Sequence, residues 1–259
     1  MKIKTIVLAS LLIAIILITS SSPVVMAAAS ETENNGLEKG TKVKWEQKYI
    51  EKVPPIYLVD PYLDMFGQAR GPIPYTYEEV VKLAGHACPA TSGAFTITRK
   101  ALNALYPGDE LPVRGQIRVW VPGAESQWNL GVFGEIITYI TGAAPKTGFN
   151  GAEFGQVNDL YVRQNKMVYT ELPTPTPPAQ MVWIFERLDT GARVSVQYNL
   201  SLIQPATTPT WVELGKKMAQ GLATPKETAE YVKYWNARTK FVFENADTLE
   251  GFFIVTPLN

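Results

Sequence analysis

The chain has 259 residues, with 24 basic and 24 acidic side chains, one histidine and one cysteine. A formal net charge of +0 leaves no positive field to gather nucleic acid or anionic lipid, and a lone cysteine excludes an intrachain disulfide framework. At 46% hydrophobic and 19% charged residues, the composition is that of a globular chain with apolar material for a sizeable core.

The chain opens on Lys2 and Lys4, an apolar run over 6–18, a polar break ending at Pro23 and the small residues Ala27, Ala28 and Ala29. That order of positive, apolar and small-residue regions is the pattern of a cleavable secretory signal over 1–29. The expected destination is therefore outside the cytoplasm (secreted, periplasmic or at the cell surface), with no stable membrane anchor after cleavage. Without Lys2 and Lys4, 22 basic side chains face 24 acidic ones. Residues 30–75 begin polar and turn rich in proline and tyrosine, which predicts an extended arm that wraps or docks without a core of its own.

Thr76 followed by Glu79 is a capping-box signal, and the helix it opens is expected to stop near Gly85. Pro89 at a first helical position starts the next helix, which the spacing of Ala94, Ile97, Ala101, Leu102 and Leu105 carries to about Tyr106. Residues 116–121 alternate with period two and read as a strand. An apolar helix over 128–141 ends at Gly142, and the glycines at 148, 151 and 155 suggest tight turns. Residues 160–172 read as a strand, and 173–178, four of them proline, as a stiff connector. A hairpin follows, with strands over 181–188 and 193–200 around the loop 189–192. Two helices close the chain, one over about 210–220 and one opened by the Thr224–Glu227 capping box. This order favours an α+β fold, in which a mixed or antiparallel sheet packs with helices, over a regularly alternating parallel sheet.

The chemistry concentrates in Gly85-His86-Ala87-Cys88-Pro89. Imidazole and thiolate are the side chains that best suit zinc and softer transition metals. In an extended loop the side chains at i and i+2 point to one side, so His86 and Cys88 can converge on one ion or one substrate atom. With Pro89 at N1, Cys88 is the N-cap, where the helix dipole favours a thiolate. Two donors fall short of the three or four that zinc takes. Glu125 is a candidate third ligand beside Asn129, the other acceptors being water, backbone or a second copy of the chain. Glu135 reads as either a buried acid or an exposed edge of its helix, and Arg99 and Arg118 as either anion binders or ion-pair partners. Trp120, Trp128, Trp183, Trp211 and Trp235 read as core or interface aromatics in preference to a ligand cage. A blue-copper centre, a c-type haem and a Ser-His-Asp triad each lack their required residues.

The Gly85–Pro89 motif, followed by Gly93-Ala94 and a helix, resembles the GHxCP signature of the FmdE-like family, which takes its name from a component of formylmethanofuran dehydrogenase. The likeness runs over about 76–245, through Arg114-Gly115-Gln116-Ile117-Arg118-Val119, Thr141-Gly142-Ala143-Ala144, Gly148-Phe149-Asn150-Gly151 and Leu188–Val194. It implies an FmdE-like α+β domain over 76–259, a homodimer, and a site at His86 and Cys88 that holds a metal, zinc foremost. The second cysteine common in the family is missing from 123–129, and no C-x-x-C of a zinc-finger extension exists. The leader also sets this chain across a membrane from cytoplasmic formylmethanofuran chemistry. Three functions follow as expectations: an exported metal-binding protein using His86 and Cys88; a metal-independent reactive thiol with Cys88 as the catalytic group beside His86; or a non-catalytic binding or assembly module. The reaction itself stays open, and the partner is a small molecule or metal ion.

Overall fold

The structure, a computed structural model, describes residues 42–148, 150, 159–169 and 180–258. The expected leader at 1–29, the first stretch of the arm, Gly151, Gly155 and the proline connector 173–178 lie outside the described residues. Among the described residues, no helix is long and apolar enough to cross a membrane.

From Val43 onward the chain groups into one compact unit. Its first elements are α1 (Tyr49–Lys52), β1 (Ile56–Leu58), α2 (Pro61–Met65) and β2 (Ile73–Tyr75), with β1 and β2 paired antiparallel. The sequence predicts an arm that wraps or docks without a core of its own; the described part of it, from residue 42 on, carries short helices and strands and packs into the common core. Ile50, Ile56, Leu58 and Tyr75 are buried in the common core, and Val59 bridges to Val113. The prolines interrupt the elements but leave Ile56 and Leu58 on one face of a strand, and that face is what docks.

α3 (Tyr77–Ala84) starts at the expected box: Glu79 N–H donates to Thr76 Oγ1 at 3.2 Å, and Thr76 N–H donates to Glu79 Oε2 at 2.8 Å. α4 (Pro89–Leu105) is the central helix and packs against α3, α5 (Leu130–Thr141), α7 (Pro225–Asn245) and the sheet. Its hydroxyl residues Thr91, Ser92, Thr96 and Thr98 are fully buried beside Phe95, Ile97 and Leu102. α3 and α5 end at Gly85 and Gly142, both left-handed, as their sequence positions require.

The main sheet runs β4 (Met167–Val168), β3 (Ile117–Trp120), β5 (Gln180–Arg187), β6 (Arg193–Asn199), β7 (Phe253–Leu258). β4 pairs with β3 in parallel and the remaining neighbours are antiparallel, so the fold is α+β with a mixed sheet. Period-two alternation puts Ile117, Val119, Met181, Trp183, Phe185, Val194, Val196 and Tyr198 on the buried face under the helices. The predicted hairpin around 189–192 is present. β7 is not anticipated by the sequence reading: Pro257 argues against a strand, yet this strand lies at the sheet edge, where a missing N–H is tolerated.

The predicted strand over 160–172 is corrected. Asp159–Tyr161 form a 3₁₀ turn, Asn165 has φ +63°, and among the described residues of this stretch only Met167–Val168 pair. Here polar burial overrides the apolar pattern. Arg163 is fully buried and its Nη2 donates to Asp60 Oδ1 at 3.0 Å, while Arg114 Nη1 donates to Asp60 Oδ2 at 2.9 Å. Lys166 Nζ donates to the carbonyls of Gly115 at 2.6 Å and Asp159 at 2.7 Å.

Burial of this ammonium is the main reason that Lys166 falls from 10.5 to about 8, with Asp159 opposing and Arg163 and Arg118 adding to the shift. From about pH 8 upward the unfolded chain holds a proton that the folded one has released, so stability rises with pH. Tyr49, Tyr106 and Tyr139 are pushed up to about 12, chiefly by burial, and oppose the rise only above the ordinary tyrosine value of 10. Urea unfolding between pH 8 and 10 is therefore expected to show increasing stability in wild type and a flatter profile in Lys166→Met. Identical slopes in the two proteins would contradict the assignment.

Candidate functional site

The loop between α3 and α4 is held from both sides. Cys88 has an extended backbone, φ −154° and ψ 171°, and acts as the N-cap of α4 as the sequence predicts. Its Sγ accepts from Thr91 N–H at 3.4 Å, while Cys88 N–H donates to Thr91 Oγ1 at 2.9 Å. Tyr77 Oη lies 2.9 Å from Thr91 Oγ1 and 3.0 Å from Ser92 Oγ, which fixes the first turn of α4 from within the core. On the opposite side, Trp235 Nε1 donates to the Ala87 carbonyl at 2.7 Å and ties the loop to α7.

His86 and Cys88 occupy different surroundings. His86 is exposed, its Nδ1 3.0 Å from the Ala84 carbonyl and its ring 6.4 Å from that of Trp235. A donating Nδ1–H leaves Nε2 as the free acceptor. Cys88 is only 7% exposed and is among the residues that line a cavity of about 790 Å³.

This cavity lies between the first turn of α4, the residues just before α5, the segment after β6, and the pair α6 (Pro209–Ala219) and α7. Its walls carry Trp128, Trp211, Tyr231, Tyr234 and Trp235. Trp211 stacks on Tyr234 with ring centroids 4.1 Å apart and planes 8° apart, and Tyr231 stacks on Trp235 at 5.9 Å and 27°. Gly215 lets α6 come this close, since a Cβ there would lie 2.8 Å from Tyr231 Oη. Trp128 sits at φ +48°, an outlier for a bulky side chain, and remains 39% exposed. That conformation is why α5 starts at Leu130 and not at the expected residue 128. Strain of this kind costs about 1–3 kcal/mol and gathers at binding sites.

The other expected residues disperse. Glu125 is exposed, outside the cavity lining, and acts with Glu135 on Tyr169, whose phenol is raised mainly by burial. Asn129 does line the cavity. Glu135 is exposed on α5 and lines a separate hollow with Arg114 and Tyr139. Arg99 lines another with Tyr106. Arg118 pairs with Glu186 at 3.1 Å, the ordinary fate of arginine. Trp183 is core as expected, and Trp120 lies on the outer sheet face under Arg118 and Arg193. Trp128, Trp211 and Trp235 line the cavity, and Trp235 also packs against the core. The sequence held a signal for this. Tyr231, Tyr234, Trp235 and Arg238 recur at i, i+3, i+4 and i+7, which is one stripe of a helix.

Among the described residues, no three or more of His, Cys, Asp and Glu gather to hold a metal ion. His86 and Cys88 supply two donors, so a zinc centre completed within one chain does not fit the described residues. No family model, no curated protein and no solved structure matches the chain, and the cavity's own residues carry the functional reading.

Proposed function

We propose that this chain is a small-molecule-binding protein, delivered outside the cytoplasm by its leader, whose ligand occupies the aromatic cavity and lies against Cys88. One observation carries this reading: a cavity of about 790 Å³ is lined by five aromatic side chains and by the chain's sole cysteine. Ligand sites are concave, mainly apolar and of about 300–1,000 Å³, with a few polar groups to orient the occupant. Tryptophan and tyrosine at a solvent-reachable hollow, one of them backbone-strained, are costly unless something packs on them.

A neutral aromatic probe tests the reading. Calorimetric titration with 2-naphthalenemethanol is expected to show saturable binding, and the bound probe to slow alkylation of Cys88 by iodoacetamide. Trp211→Ala is expected to weaken binding roughly tenfold through lost stacking. Absence of saturable binding, or alkylation indifferent to a bound probe, overturns the proposal.

A second reading rests on the hydrogen bond of His86 Nδ1 to the Ala84 carbonyl. Metal-ligating histidines almost always donate their second ring nitrogen in this way, which orients the other toward the ion. With the FmdE-like resemblance, this supports a metal at His86 and Cys88 shared between two copies, so that a homodimer would count two of each donor. Elemental analysis and light scattering of wild type beside His86→Ala decide it. Stoichiometric metal and a dimer, both lost in the variant, are expected, and a metal-free wild type grown in metal-replete medium excludes it.

A further inference from the structure

We infer that the ligand of this cavity is an amphipathic organic anion: an aromatic body bearing a carboxylate, seated against the Trp and Tyr walls with its charge on Arg238. The inference rests on the small-molecule reading above and adds the chemical class. Among the described residues that line the cavity there is no aspartate or glutamate, and the charged ones are Lys216 and Arg238. Lys216 already has a partner, with its Nζ 2.6 Å from Glu213 Oε1.

Arg238 is different. Its guanidinium lies 5.5 Å over the Tyr234 ring, and Nη1 donates to the Pro205 carbonyl. No acidic side chain of the described residues pairs with it. A guanidinium offers five N–H donors in a planar fork, and a neutral carbonyl takes up one of them. Among the described residues the positive charge is therefore unmatched, beside an aromatic ring, where a carboxylate can take a bidentate pair of its N–H groups. Its field opposes, in part, the rise that burial imposes on Tyr231 in the wall and on Tyr198 in the core.

Two further features agree with an anion. The N-terminus of the 17-residue helix α4 opens on the same cavity through Cys88, Pro89 and Ala90, and adds the positive end of its dipole. Asn129, Ser201 and Thr207 give the lining neutral polar groups without introducing negative charge. A neutral apolar ligand would leave the guanidinium facing it unpaired, and a cation would meet net positive charge. The parallel ring pairs favour a flat body over a long flexible chain.

The test compares 2-naphthoate with its neutral counterpart 2-naphthalenemethanol, by calorimetric titration of the purified protein at pH 7. Wild type is expected to bind the carboxylate at least about tenfold more tightly than the alcohol, as charge-assisted hydrogen bonds predict. Raised salt should erode that preference. Arg238→Gln is expected to abolish the preference for the carboxylate, and Arg238→Lys to retain part of it. Saturable binding of the alcohol by the Gln variant, at whatever affinity, separates loss of charge from loss of fold. If both probes bind wild type equally, or if Arg238→Gln keeps the preference, the anion inference fails and the cavity reading stands. If neither probe binds, the reading beneath it fails as well.

Discussion

Asp60→Ala is expected to destabilise the protein by roughly 3–5 kcal/mol, the cost of leaving a buried charge without its partner. Asp60 accepts from Arg163, from Arg114 and from the backbone N–H of Tyr62 at 2.9 Å. Arg163 is the side chain that cannot adapt: it is fully buried, and its Nε and Nη1 have no hydrogen-bond partner. Burial lowers Arg163 from its usual value, and the Asp60 carboxylate is the main influence holding the charge in place. Arg114 has alternatives, since its Nε and Nη2 donate to the carbonyls of Ile140 and Tyr139. For a chain of this length the loss corresponds to a Tm fall on the order of 10 °C. Adding Arg163→Met to Asp60→Ala is expected to recover a substantial part of it, because the unpaired charge then disappears. Thermal and urea unfolding of both variants provide the check. A double variant no more stable than Asp60→Ala would show that the ion pair is not the source.

Gly93→Ala carries the second large effect, and it joins stability to the site. A Cβ at this position of α4 would lie 2.4 Å from Tyr198 Cε1 and 3.0 Å from Cδ1 and Cζ. Tyr198 has nowhere to go. It is fully buried, stacked on Phe253 at 4.5 Å, and packed beside Phe252 and Phe133. Alanine in place of glycine gains at most about 1 kcal/mol of helix propensity, whereas overpacking a filled core costs about 1–3 kcal/mol. A net loss of about 1–2 kcal/mol is expected. Tyr198 Oη also donates to the Pro89 carbonyl at 3.2 Å, so moving the ring loosens the first turn of α4 next to Cys88. Faster alkylation of Cys88 by iodoacetamide, alongside a lower Tm, is the expected pair of results. Stabilisation by the substitution would mean that the ring relaxes freely.

The elements that local chemistry specifies were legible in the sequence. Thr76 with Glu79, Pro89 after Cys88, Gly85, Gly142 and Thr224 with Glu227 set helix ends through hydrogen bonds and dihedral preferences within a few residues. The strand at Ile117–Trp120 follows from period-two alternation, and the hairpin from the glycine-containing loop 189–192 between two strand-like runs. The short helices and strands of the docked segment 43–75, the 3₁₀ turn and short β4 within 160–169, and β7 were not legible in this way. In each, a distant partner decides: a core for Ile56 and Leu58, Asp60 for Arg163, and an edge position for Pro257.

The site divides along the same line. From sequence alone, the motif Gly85–Pro89 marked Cys88 as the cap of α4 and, with His86, as the chemistry of the chain. Only the tertiary structure decided that the histidine is exposed while Cys88 is buried and lines a cavity, and that Glu125 is exposed outside that lining. It also brought Trp128 and Trp211 to the stripe of Tyr231, Tyr234, Trp235 and Arg238, across about a hundred residues of chain at the widest. The physical reason is one of range. Caps, turns and periodicity act over three or four residues, whereas a cavity wall and an unmatched charge exist only once distant elements have packed.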